Sequence, residues 1–89
     1  GPSAGDAPAP PCSVEDLGAL LRGIPASETP GEAPLVSAGE DGEVALRIPA
    51  ARLPETMAKG LRARGCVIKA RELGGDGSTT IIVAPSRLP

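Results

Sequence analysis

The sequence predicts one α+β domain in which two helices pack against a four-stranded antiparallel sheet. Three observations support this prediction. Two segments have apolar residues at helical spacing, four segments have the pattern of strands, and an Asp-Gly pair lies between the strands of each expected hairpin. The chain has 89 residues, a length that suits a single domain with a modest core. The expected order of elements is α-β-β-α-β-β.

Residues 1–11, GPSAGDAPAPP, are expected to form a disordered or extended leader, because they are rich in Pro, Gly and Ala and lack apolar periodicity. Residues 12–89 form the predicted α+β domain. No apolar run reaches the length of a membrane span. The chain itself is therefore expected to be soluble, and attachment to a membrane would require a segment outside these residues.

The first helix is expected over about 13–23. Ser13 and Asp16 resemble a capping box at its start, while Gly23 and Pro25 end the helical pattern. Apolar side chains recur on one face of this segment, which should therefore face the core: Val14, Leu17, Leu20, Leu21 and Ile24.

The first hairpin follows a proline-rich loop at 25–34. A short strand is expected at 35–38, and the sequence GEDGE supplies a turn around its Asp-Gly pair. A second strand is expected at 43–48, because apolar and polar residues alternate there with the period of a half-buried strand.

The second helix is expected to begin near Pro54, which suits a first helical turn, and to end before Gly65, which suits a left-handed cap. Strands are then expected at 66–73 and 79–84, joined by a turn in GGDGS. One face of this helix is expected to carry Leu53, Met57, Ala58 and Leu61. The predicted core residues are Leu46, Ile48, Leu61, Ile81 and Val83.

The segment 39–54, GEDGEVALRIPAARLP, is echoed at 74–89 by GGDGSTTIIVAPSRLP, with identical residues at six of the sixteen positions. The echo is compatible with a duplicated α-β-β unit. The alternative is two hairpins that use Asp-Gly independently, because Asp tolerates and Gly permits a positive φ. Both interpretations predict two hairpins.

Two α-β-β units can form one sheet with both helices on the same face, which is a circularly permuted ferredoxin-like two-layer sandwich. Strands two and four then lie in the centre of the sheet. TTIIVA is the most apolar strand and fits a central position. The first strand is short and follows a proline, and the third carries charges, both of which protect exposed edges.

The composition argues against several classes of function. The chain has no Phe, Tyr or Trp and a net charge of −2, which argues against nucleic-acid binding. It has no histidine, and no Cys/His or Ser/His pair for nucleophilic catalysis. Glu40, Asp41 and Asp76 are interpreted as turn residues. We therefore expect a protein that is not an enzyme, with no catalytic residues, no cofactor and no metal site.

Cys12 and Cys66 are the two cysteines of the chain. Without histidine they cannot form a standard structural zinc site. We expect them to be unpaired thiols, with a disulfide between them as the alternative.

Three adjoining segments carry a resemblance: DGEVALRIPA, the helix ARLPETMAKGLRARG, and CVIKARELGGDGSTTIIVA. Together they resemble the periplasmic ferredoxin-like domains of inner-membrane platform proteins in type II secretion and type IV pilus machines, of the L/M-type and PilN/PilO-type families. The matching apolar and glycine positions are Leu53, Met57, Leu61, Gly65 and Val67. The proline-rich loop at 25–34 departs from the pattern of these families. Residues 1–89 also contain neither the membrane helix nor the coiled-coil stalk of such proteins.

The resemblance implies a non-enzymatic scaffold that forms homo- or heterodimers on the periplasmic side of a bacterial inner membrane. The alternative is a protein-interaction module of similar fold in a cytoplasmic or viral assembly. In either case the expected partner is a protein, namely a homologous domain or a second copy of this chain. The expected contact surfaces are the two sheet edges, with candidate residues Leu35, Val36, Val67, Lys69, Arg71 and Glu72.

Overall fold

The computed structural model describes residues 10–28 and 32–86. Most of the expected leader, and the end of the echoed segment at 87–89, lie outside the described residues. The elements occur in the expected order: α1 Val14–Arg22, β1 Leu35–Ala38, β2 Val44–Ile48, α2 Glu55–Ala63, β3 Cys66–Leu73 and β4 Thr79–Pro85, with a short 3₁₀ helix Ala26–Glu28 in the loop after α1.

The four strands form one antiparallel sheet in the order β1-β2-β4-β3. The predicted placement of the second and fourth strands at the centre is therefore confirmed. Helix α1 packs beside β1 and α2 beside β3. Both helices contribute to one cluster with the buried face of β2 and β4, so the fold is a two-layer α+β sandwich. All five predicted core residues are buried.

Helix α1 begins as the sequence predicts, with one difference. The Ser13 hydroxyl accepts a hydrogen bond from the Asp16 N–H at 3.1 Å. The Asp16 carboxylate reaches back to the N–H of Cys12, at 3.0 Å, rather than to that of Ser13. The first bond satisfies a donor that the helix start would otherwise leave unpaired, and the second fixes the backbone before the N-cap.

Helix α2 begins one residue later than the sequence suggested. Pro54 lies at the N-cap with an extended ψ of 142°, and the helix ends at Ala63. Gly65 then adopts a φ of +73°, which confirms the expected left-handed residue after the helix.

The two hairpins use equivalent glycines in the same way. Gly39 donates its N–H to the Glu43 carbonyl at 2.8 Å, and Gly74 donates to the Ser78 carbonyl at 2.7 Å. The Asp-Gly pairs differ, because Asp41 has a φ of 52° whereas the corresponding aspartate of the second turn acts through its side chain. Two hairpins are confirmed, while their common origin stays a prediction.

The echo also agrees with the pairing of the central strands. Its offset of 35 residues relates Leu46 to Ile81, and these two buried residues lie directly opposite each other where β2 pairs with β4. The offset also relates Val44 to Thr79 and Ile48 to Val83, all of them buried. The two halves therefore meet about an approximate two-fold axis.

The expectation of unpaired thiols is wrong. Cys12 and Cys66 form a disulfide with a Cα–Cα distance of 5.8 Å, which is within the usual range for such bridges. The two residues are 54 positions apart in sequence. Their spacing did not reveal that the residue before α1 and the first residue of β3 meet in the fold.

An ion pair accompanies this bridge. The Arg64 Nε lies 3.2 Å from the Asp16 carboxylate, although its N–H is not aligned for a hydrogen bond. Both side chains are mostly buried. The start of α1, the end of α2 and the start of β3 are therefore held at one place by a covalent bond and a charge pair.

Candidate protein-interaction site

Strand β3 is a sheet edge that residues 10–28 and 32–86 leave uncovered. Every residue after Cys66 in this strand is exposed. Three large aliphatic side chains are among them: Val67 is 42% exposed, Ile68 46% and Leu73 65%. Among the described strands, β3 pairs with β4 alone, along its inner edge. Most of the exposed large aliphatic side chains of the described residues therefore lie along one strand.

The exposed side chains of β3 divide between two faces. Arg71 lies opposite the buried Ile81, so it is on the face that the helices cover, and Glu72 lies opposite Thr80 on the other face. Val67, paired with Ala84, shares the face of Glu72, and Ile68 and Leu73 share the face of Arg71. The strand thus offers apolar and charged groups on both sides.

A bulge interrupts the pairing of β3. Ile68 lies opposite Val83 and Ala70 opposite Ile82, which leaves Lys69 as an extra residue between them. Bulges and charged side chains both hinder indiscriminate pairing of an exposed edge. The accessible edge is therefore divided into a segment before Lys69 and a segment after it.

The backbone geometry identifies which amides of β3 point outward. The Gly74 N–H bonds to the Ser78 carbonyl, and hydrogen-bonded pairs alternate along an antiparallel ladder. The next such pair toward the middle of the strand is Glu72 with Thr80. It follows that Arg71 and Leu73 direct their N–H and C=O groups to the free edge.

The other predicted edge residues, Leu35 and Val36, lie on β1 at the opposite side of the sheet. Leu35 is 58% exposed and Val36 is half-buried. Strands β2 and β4 separate this edge from β3, a distance of roughly 14 Å at the usual strand spacing. The six predicted contact residues therefore form two separate surfaces.

The edge of β1 borders an open groove of about 310 Å³. Side chains of α1 form one wall and the segment 33–36 the other, and the lining residues are Gly18, Leu21, Arg22, Ala33, Pro34, Leu35 and Val36. Most of these residues are apolar. The exception, Arg22, has no ion-pair partner among residues 10–28 and 32–86.

A polar cluster joins the β3–β4 turn to β2. The Asp76 Oδ1 accepts hydrogen bonds from the Ser78 hydroxyl at 2.6 Å and the Ser78 N–H at 3.0 Å. Its Oδ2 accepts one from Arg47 at 2.6 Å. The bonds from Ser78 and the charge of Arg47 lower the pKa of Asp76 to about 2. Asp76 thus performs the turn role that the sequence predicted.

The sequence missed several residues of these surfaces. The sequence predicts Ile68 and Leu73 only as part of a strand, because their pattern does not show how far the helices extend across the sheet. Gly18 and Arg22 fall on a helix whose other face supplied the periodic signal. These two residues are four positions apart and therefore lie on the same face of α1. A glycine and a cation on one face, next to a predicted edge strand, were the sequence features that indicated a groove there.

Within the described parts of the chain, no group of three or more His, Cys, Asp or Glu residues is placed to hold a metal ion. The described helices are also too short and too polar for any of them to cross a bilayer.

No protein-family model matches the chain, no curated protein matches its sequence, and no solved structure matches it.

Proposed function

We propose that this domain is a non-enzymatic scaffold that pairs with a homologous domain or a second copy through a sheet edge, in a bacterial secretion or pilus platform. The observation that carries the proposal is the exposure of β3. A small domain with so few large apolar residues leaves three of them on one edge strand. Large aliphatic side chains exposed along an unpaired sheet edge favour contact with another protein there.

The energetics suit a weak contact. Complete burial of a large aliphatic side chain contributes about 1.5–3 kcal/mol. Covering the exposed fractions of Val67, Ile68 and Leu73 would therefore contribute about 2–5 kcal/mol. Backbone hydrogen bonds from Arg71 and Leu73 would add to this and fix the register. Such a contact is small, and we expect micromolar affinity.

The faces of the charged residues favour a homologous partner over a second copy. Residues that lie opposite each other in a ladder share a face. Arg71 and Glu72 are adjacent and lie on opposite faces. A regular two-fold pairing of β3 with itself therefore cannot place Arg71 opposite the partner's Glu72. A different partner strand can carry a carboxylate opposite Arg71 and form an ion pair with it, which favours a homologous domain as the partner.

The secretion or pilus platform is proposed from the sequence resemblance, and the disulfide supports a periplasmic location. Disulfides form and persist in oxidising compartments such as the bacterial periplasm and are rare in the cytosol. The bridge between Cys12 and Cys66 therefore weighs against the cytoplasmic form of the alternative, an interaction module in another assembly. Detection of this bridge in protein taken directly from cells separates the two locations.

The test is sedimentation velocity, on the domain alone over a range of concentrations and mixed with ferredoxin-like domains encoded by neighbouring genes. The variant Arg71→Pro removes an outward N–H without breaking the β3–β4 ladder, and Arg71→Gln is the matched control that keeps the N–H. We expect association in the wild type, a smaller loss in Arg71→Gln and a complete loss in Arg71→Pro. Wild-type protein that stays monomeric in every mixture, or a complex unaffected by Arg71→Pro, would exclude the β3 edge.

A further inference from the structure

The opposite edge of the sheet has the features of a peptide-binding site. Its register with β2 is continuous from Leu35 to Ala38. Its protection is limited to its short length and the preceding Pro34, because it carries neither a bulge nor a charged residue. A bulge and charged residues are the features that hinder indiscriminate pairing at the edge of β3. Beside it lies the groove of about 310 Å³, a volume at the lower end of the range for small-ligand pockets.

The backbone of β1 is oriented to receive another strand. Gly39 donates its N–H to the Glu43 carbonyl at the turn, and hydrogen-bonded positions alternate along the ladder. Ser37 with Ala45 is therefore the next bonded pair. Val36, between these bonded positions, directs its N–H and C=O groups to the free edge.

The side chain of Val36 connects this edge to the groove. It lies opposite the buried Leu46 and hence on the face that the helices cover, and it lines the groove together with Leu21 and Gly18. A residue of an added strand that pairs with Val36 would place its side chain on the same face. That side chain would approach the open groove between β1 and α1. The groove is bordered there by the Arg22 guanidinium and a Val36 methyl group, which lie 3.5 and 3.9 Å from where a Cβ of Gly18 would stand.

The charge at the groove indicates the chemistry of the occupant. Arg22 lines it and has no ion-pair partner in the described ranges 10–28 and 32–86. A carboxylate two positions along an added strand lies on the same face as the inserted side chain and can pair with this guanidinium.

We propose that β1 and α1 bind an extended acidic segment of a partner protein by strand addition, with an aliphatic side chain in the groove and a carboxylate at Arg22. Backbone bonds to Val36 provide affinity, and the groove and Arg22 provide selectivity. This inference uses a different edge from the proposed β3 contact and does not depend on it.

The test is selection of binders from a display library of random eight-residue peptides, with the disulfide-bonded domain as bait. We expect the selected peptides to share a large aliphatic residue with Asp or Glu two positions away. One such peptide, labelled with a fluorophore, is then titrated by fluorescence anisotropy. Binding should weaken as salt increases, because the ion pair is near solvent.

Two pairs of variants locate the bound peptide. Arg22→Glu should weaken binding by about tenfold or more, while Arg62→Glu, the same change on the exposed side of α2, should leave it unchanged. Val36→Pro removes the outward N–H and should abolish binding, while Val36→Thr keeps that N–H and should bind within about twofold of wild type. Arg71→Pro, on the other edge, should have no effect on the peptide.

A library from which no shared motif emerges would overturn the proposal. So would a selected peptide that binds Arg22→Glu as tightly as wild type. If Val36→Pro does not fold, the comparison of Arg22→Glu with Arg62→Glu decides alone, since both residues are on helix surfaces and neither is part of the core.

Discussion

Removal of the disulfide should strongly destabilise the domain. The bridge closes a loop between residues 54 positions apart. In the chain-entropy model a loop of this length lowers the entropy of the unfolded chain by about 14 cal/mol/K, which is about 4 kcal/mol at 25 °C. The total stability of a domain of this size is of the order of 4–13 kcal/mol. Reduction should therefore remove a large share of it.

The assay is urea unfolding with and without a reductant, followed by circular dichroism. We expect reduction to lower the free energy of unfolding by about 2–4 kcal/mol. The m-value should increase, because the unfolded chain without the bridge exposes more surface. The double variant Cys12→Ala/Cys66→Ala is the control, since its unfolding should resemble that of the reduced protein and should not respond to reductant. A change below about 1 kcal/mol, or two free thiols in the purified native protein, would refute the reasoning.

Four further outcomes are expected. Leu46→Ala should lower the free energy of unfolding by about 2–4 kcal/mol in chemical denaturation, because Leu46 is completely buried and its truncation leaves a cavity. Gly18→Ala should stabilise α1 by up to about 1 kcal/mol, since its added methyl group has room. Gly60→Ala should instead lower Tm, because its methyl group would overlap the buried Leu20 and overpacking outweighs the gain in helix propensity. The pKa of Asp76 is lowered in the folded state from 3.8 to about 2, so its stabilisation is complete above pH 3.8 and is lost as the pH falls toward 2. In acid titrations followed by circular dichroism, the stability difference between wild type and Asp76→Asn should therefore narrow over that interval.

The local pattern of the sequence was sufficient for the elements and the order of strands. The alternation in 43–48 predicted a half-buried strand, and β2 buries Val44, Leu46 and Ile48. The low polarity of TTIIVA predicted a central strand, and β4 pairs on both sides. Both predictions rest on the spacing of apolar residues within a single segment, which is a local property of the sequence.

The features that the sequence did not predict depend on long-range geometry. The Cys12–Cys66 bridge requires the start of α1 to meet the start of β3, and spacing in sequence does not encode that distance. The bulge at Lys69 lies in a segment without Gly or Pro, so no turn residue marks it. The exposure of Ile68 and Leu73 depends on how far the helix layer extends across the sheet.

The most direct test of the proposed β3 contact is an amide chemical-shift titration of the ¹⁵N-labelled domain, by its own concentration and by addition of a candidate partner domain. The account predicts saturable shifts concentrated at residues 66–73, largest at Arg71 and Leu73, whose N–H groups point to the free edge, and no comparable shifts at 35–38. Shifts confined to the helices or to β1, or no shift at concentrations of about 1 mM, far above the micromolar affinity expected, would contradict it.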